Sequence, residues 1–364
     1  MQNRSLLILA GLTAIVVIGT VFAVSTRESA VERVLVEKTI FPELGSRIND
    51  VAAVALTTAD GTFRLTRDGQ DWFVADKADF PARGELVREM LLHLTELTAL
   101  EAKTANPERH AKLGLAAPDA EEGVATKVTL LNDDDGVLAE LMVGNAARGT
   151  NNQRYVRRSD DDQTWLVKSA LDPGNEVNDW VETLLLRLPL ERVRGVRIEH
   201  PDGQVINLSK ETPKDAEFVL VEMPEGASFS SPKTIENMIR SVTVMRFNEV
   251  VGLSEMPEPD DGPIVTRFDT FDGQTVIFTQ HKAGEETWVR IETSYDAAAA
   301  MPEEEMDLED DPLEAALPFD VEATVAEVAA VTDAWVFVLP DFKISQLSKR
   351  LEDLITMPPP VEVE

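Results

Sequence analysis

Apolar and polar positions alternate through much of this chain in short runs broken by Asp-Gly pairs, and that period of two predicts β-strands joined by tight turns. The first series is Val51-Ala-Ala-Val-Ala-Leu-Thr-Thr58, then Asp60-Gly61, Phe63-Arg-Leu65 and Asp71-Trp-Phe-Val74. A second series follows the same order: Val193-Arg-Gly-Val-Arg-Ile-Glu-His200, Asp202-Gly203, Val205-Ile-Asn-Leu208 and Glu217-Phe-Val-Leu220. After each series the period becomes helical. Leu86, Val87, Met90, Leu91, Leu94 and Leu97 form one stripe after Pro81, and Ile235, Met238, Ile239, Val242 and Met245 form the other after Pro232. Ser231 is placed to cap the second helix, with Pro232 at its first position, where the missing N–H costs nothing.

The parallel runs on. Val128-Thr-Leu-Leu131 before Asp135-Gly136 matches Val265-Thr-Arg-Phe268 before Asp272-Gly273. Tyr155-Val-Arg157 matches Trp288-Val-Arg290, Trp165-Leu-Val167 matches Trp335-Val-Phe-Val338, and a helix predicted over 178–188 matches one over 344–355. Shared order of this kind predicts an α+β fold made by tandem duplication of a β-meander plus helix unit. The first repeat is 49–189 and the second 190–356.

One segment has no counterpart in either repeat. The nineteen residues Leu6 to Val24 carry no charge. At about 1.5 Å of rise per residue they nearly cross a hydrocarbon core of about 30 Å, which predicts a single transmembrane helix. Residues 1–25 are then an anchor and 26–48 a linker. Arg4 and the terminal amine precede the run, whereas Arg27 and Glu28 cancel after it, so the expected orientation keeps the N-terminus in the cytoplasm and the body outside it. A cleaved signal peptide competes with this reading, because Val21-Phe-Ala23 offers small residues at peptidase spacing; the run is longer than the roughly 7–15 residues of a signal-peptide core.

Charge narrows the partners. With 66 acidic against 34 basic residues in 364, the net charge of −32 argues against nucleic acid and against adhesion of the body to anionic head groups. Twelve acidic residues and no basic one lie between Ala297 and Asp333, where the first repeat has only a short Ser159–Asp162 loop. The stretch 297–333 reads as a solvated insertion in the second repeat, with a short helix at Val321–Val331. Residues 357–364 read as an unstructured tail. Zero cysteines exclude disulfides, thiolate nucleophiles and Cys-ligated metals.

No catalytic, cofactor-binding or metal-ligating residue can be nominated from the pattern. Neither a P-loop nor a dinucleotide fingerprint occurs, and no Gly-x-Ser-x-Gly elbow supports a hydrolase serine. His93, His110, His200 and His281 lack partners at zinc-protease spacing and read as structural. Asn132–Gly136 and Asp260–Gly262 resemble calcium loops, but with glycine sixth, Leu131 falls first in one, and Pro257 and Pro259 fall first and third in the other; both read as turns. Trp72, Trp165, Trp288 and Trp335 occupy strand positions that favour packing over sugar stacking. So many carboxylates leave a glycosidase-like pair open without selecting one.

Several short motifs taken together carry a family resemblance: Trp72, Phe80-Pro81, Leu113-Gly-Leu-Ala-Ala-Pro118, Leu141-Met-Val-Gly144, Tyr155-Val-Arg157 and Asp179-Trp180. The chain resembles the bacterial family called domain of unknown function four-three-four-zero, most closely over 48–190. That resemblance implies a membrane-anchored protein outside the cytoplasm, often encoded beside components of gliding-motility-type ABC transporters, and it defines no catalytic residues. The expectation is a single-pass inner-membrane protein held through residues 6–24 with a periplasmic body. It serves as accessory or scaffold to an inner-membrane complex, ABC transporter subunits among the expected partners, without activity or cofactor of its own. The alternative is a periplasmic glycan-binding module or carboxylate-based envelope hydrolase with a cleft between repeats.

Overall fold

The computed structural model describes residues 38–121, 123–149, 152–215, 217–302 and 320–357. The predicted span at 6–24, most of the linker, the acidic stretch 303–319 and the tail from 358 lie outside the described residues. No described helix is long and apolar enough to cross a membrane. The fold is α+β, with sheets that pair antiparallel and few helices.

By packing, the chain divides into two units that are each discontinuous in sequence. The first takes the described residues up to Thr62 together with Glu85–Asn175; the second takes Phe63–Gly84 and Glu176 onward. Strands in chain order are β1 (Lys38–Thr39), β2 (Ala53–Thr58), β3 (Gly61–Asp68), β4 (Asp71–Val74), β5 (Phe80–Pro81), β6 (Thr98–Ala102), β7 (Thr126–Leu131), β8 (Val137–Ala146), β9 (Gln153–Arg158) and β10 (Thr164–Lys168). They continue as β11 (Leu184–Arg187), β12 (Val193–Glu199), β13 (Val205–Ser209), β14 (Val219–Leu220), β15 (Ser228–Phe229), β16 (Val244–Arg246), β17 (Glu249–Gly252), β18 (Ile264–Thr270), β19 (Gln274–Ala283), β20 (Glu286–Tyr295), β21 (Trp335–Val338) and β22 (Ile355–Thr356).

In the first unit the strand order is β1-β6-β10-β9-β8-β7-β2. Its helix, Gly84–Thr95, buries Val87, Met90, Leu91 and Leu94 at the spacing of one helical face. Two of the short sequence motifs meet here. A Cβ on Gly144 would stand 2.5 Å from the Leu113 carbonyl oxygen, and Gly114, at φ +69, would bring one to 2.5 Å from Asn145 Oδ1. The Leu113–Pro118 loop therefore lies against the end of β8, and Leu115 packs with Ala125 and Met142 in a small core that Tyr155 flanks.

In the second unit the large sheet runs β14-β13-β12-β18-β19-β20-β21-β17. Val196, Ile198, Ile206, Leu208, Phe268, Val276, Phe278, Val289 and Ile291 alternate onto one face and are buried there. Phe80 from β5 joins this unit, its ring 5.4 Å from Phe247, 5.2 Å from Trp335 and 6.3 Å from Phe337.

Three helical expectations change. The segment 178–188 is a 3-10 turn at Val177–Asp179 followed by strand β11, which pairs antiparallel with β16. An unbroken run such as Leu184-Leu-Leu186 has no period that separates helix from strand, and the edge offered by Val244–Arg246 decides it. That same pairing takes Met245 out of the preceding helix, which spans only Pro232–Arg240 with Ser231 Oγ accepting from the Lys233 amide at 3.3 Å. The buried Lys343 ammonium donates to the Ser241 carbonyl at 2.6 Å and to that of Val244, closing the helix end. The helix expected over 344–355 is two pieces, Asp341–Leu347 and Leu351–Leu354. Thr266 Oγ1 and Gln280 Nε2 both donate to the Leu347 carbonyl, ending the first piece with contacts remote in sequence. The short helix in the insertion forms over Val321–Thr332, capped by Asp320.

Candidate functional site

The face of the large sheet opposite its buried core is polar, and an open groove of about 510 Å³ runs over β12, β13, β18 and β19. Strand register sets its layout. Asn207, Arg197, Arg267 and Ile277 form one cross-strand row; Ser209, Gly195, Asp269 and Thr275 form the next. Gly195 leaves a notch in the second row, where a larger residue would fill the groove floor.

Arg197 and Arg267 stand directly opposite each other, an arrangement that destabilises an antiparallel pair unless the charges are answered. Each is answered by a carboxylate two residues along its own strand and so on the same face. Arg197 Nε bonds Glu199 and its Nη1 reaches Asn207 Oδ1 at 3.0 Å. Arg267 Nε contacts both Asp269 oxygens, at 2.9 and 3.1 Å, and its Nη2 reaches Thr275 Oγ1 at 3.3 Å. Hydrogen bonding to Asp269 holds the Arg267 guanidinium above its ordinary value against the opposing effect of burial. Further along the face, Arg290 pairs with Glu292 at 3.0 Å. The exposed Arg194, at a bulge between Val193 and Gly195, also lines the groove. On a chain of net charge −32 this face is close to charge-balanced.

Beneath the end of the groove, a buried network fixes the β18–β19 turn. Arg192 pairs with Asp272 and donates to Gln274 Oε1 at 3.1 Å, while Thr270 Oγ1 donates to Asp272 and accepts from the Gln274 amide at 2.8 Å. Gly273, at φ +86, lets the turn pass the Asp296 carbonyl, which would stand 2.4 Å from any Cβ there. At the sheet edge Val205, Val219 and Val221 are exposed at 41%, 63% and 60%. They share this face with the arginines through their pairing with Glu199, Ser209 and Asn207. Guanidiniums in fixed forks beside exposed valines suit contact with another protein chain.

A family model described as "Domain of unknown function (DUF4340)" matches residues 72–263, more than half of the chain. The chain belongs to the DUF4340 family. Trp72, Phe80-Pro81, the Leu113–Pro118 loop, Leu141–Gly144, Tyr155–Arg157 and Asp179-Trp180 all fall inside the DUF4340 match, as do Arg194, Arg197, Asn207 and Ser209 of the groove. No curated protein and no solved structure matches this DUF4340 member.

The residues weighed in the sequence are dispersed. His110 and His200 are buried, their Nε2 atoms bonded to the carbonyls of Asp162 at 3.0 Å and Lys349 at 3.1 Å; His93 ends a helix, and His281 lies on β19. Trp72 and Trp288 are buried, and Trp335 Nε1 donates to the Lys77 carbonyl at 3.0 Å. Trp165 is partly exposed, with Lys38 Nζ 5.7 Å from its ring centroid. Asn132 Oδ1 accepts from the Asp134 and Gly136 amides at 3.2 and 2.6 Å, the geometry of an Asx turn, and Asp260 accepts from the Gly284 amide at 2.9 Å. Among the described residues no group of three or more potential ligands is placed to hold a metal. The groove is not legible in the sequence, because its signal, Arg-x-Asp/Glu at Arg197, Arg267 and Arg290, is a two-residue repeat that means a shared strand face only once the strands are paired.

Proposed function

We propose that this DUF4340 member is a membrane-anchored extracytoplasmic accessory or scaffold protein of an ABC-type transport or envelope complex, without catalytic activity of its own. The groove face of its second unit meets a protein partner. The apolar run Leu6–Val24 supports the anchor and the orientation. The tandem duplication read from the sequence belongs to the same proposal, as the origin of two related bodies behind one anchor. One observation carries the docking role: opposed arginines, each held by an in-strand carboxylate, beside exposed valines on a rigid sheet. That is the composition of a contact surface, with anchored charge for register and apolar area for affinity.

In-cell photocrosslinking from Val221 tests it. The expected adducts are inner-membrane transport subunits identified by mass spectrometry, lost in the Arg197→Glu/Arg267→Glu double variant at unchanged levels of the chain. Recovery of the chain alone from crosslinkers at Val221, Asn207 and Thr275 would falsify the docking role.

A further inference from the structure

Elsewhere in the second unit a smaller and more enclosed pocket of about 400 Å³ lies between the end of β13 and the helix Pro232–Arg240. Leu190, Phe218, Phe229 and Ile235 supply apolar walls, with Phe218 and Ile235 buried. Lys210, directly after β13, contributes the polar feature inside. Its Nζ lies 4.7 Å from the centroid of the Phe218 ring, over the ring face. The other charged groups of the lining stand at the mouth: Glu236 and Arg240 are exposed and satisfy each other at 2.7 Å, and Glu217 is exposed. Asp215 and Glu191 act on Lys210 only at longer range, and burial outweighs them, so its amine is held below the ordinary lysine range.

A half-buried ammonium with a ring face beneath it and no ion-pair partner among the described residues is stabilised by an incoming anion. The walls around it reward an apolar body, and the volume falls within the range of small-ligand sites, roughly 300–1,000 Å³. We propose that this pocket binds a small organic acid, with its carboxylate on the Lys210 ammonium and its hydrocarbon chain between Leu190, Phe218, Phe229 and Ile235. An amine of the same size sets a second cation against Lys210, and an alcohol gives up the charge-assisted bond. The site is independent of the groove face, and its failure leaves the docking proposal standing.

Methyl NMR of the purified 364-residue chain, reading Leu190 and Ile235 during titration with hexanoate, hexanol and hexylamine, is the test. Hexanoate is expected to shift both residues, at least about tenfold more tightly than hexanol or hexylamine. Lys210→Met is expected to abolish that preference while leaving the remaining methyl resonances in place, and Lys210→Arg to keep it. Equal binding of the three probes, no shift of Leu190 and Ile235 at millimolar hexanoate, or an unchanged preference in Lys210→Met would each overturn the assignment.

Discussion

His281 lies on β19 directly across from Trp288 on β20, and its Nδ1 and the indole Nε1 are both buried without a protein partner among the described residues. Burial alone pushes the His281 imidazole below its ordinary value. A histidine whose folded-state pKa is depressed keeps its full contribution above the unfolded value, about 6.5, and loses it as pH falls from there through the folded pKa, because the unfolded chain takes up the proton first. His281→Gln is therefore expected to flatten the fall of unfolding free energy as pH drops below about 6.5, read by urea denaturation at a series of pH values. An unchanged slope would show that His281 carries no share of it. None of this was legible in the sequence, where four scattered histidines look alike; the distinction comes from where the fold places each one, His93 on a helix, His110 between two 3-10 turns, His200 directly after β12 and His281 on β19.

Turns and glycines carry most of what can be read at the scale of elements. Gly203 and Gly273, the second residues of two Asp-Gly pairs, have φ of +89 and +86, and Asp135 of a third has φ +59, so the pairs mark chain reversals for a backbone reason. Gly144 differs, since it serves close approach: its missing side chain admits the Leu113 and Gly114 carbonyl oxygens, which would stand 2.5 and 2.9 Å from a Cβ placed there. Gly144→Ala should cost about 1–3 kcal/mol by overpacking. Thermal unfolding checks the magnitude, and amide exchange locates it to the end of β8 and the Leu113–Pro118 loop. A neutral substitution would mean that the loop can retreat at little cost. The same scale shows where period fails: Leu184–Arg187 is a strand because β16 offers it an edge, and the chain after Leu347 leaves the helix where Thr266 and Gln280 claim a carbonyl.

For the whole molecule, the decisive fact is that Phe63–Gly84 packs with the second unit although it lies early in the chain. Phe80 is 1% exposed and edge-on to Phe247, Trp335 and Phe337, so Phe80→Ala should cost that unit roughly 3–5 kcal/mol. Hydrogen exchange is expected to quicken in β17 and β21 while β7 and β8 keep their protection. Uniform quickening across both units would argue instead for a single cooperative body.

The sequence by itself determined the α+β class, most of the strands, the turns between them and the family, because alternation, Asp-Gly pairs and helical stripes are local signals that the backbone obeys locally. It also determined the net charge of −32, since composition needs no fold. Only the tertiary structure decided which apolar runs became strands, that an early hairpin belongs to the later unit, that Arg197 faces Arg267, and that Lys210 lies over Phe218 in a pocket. Each of those depends on partners distant in sequence, whose contact free energy appears only when the chain closes on itself.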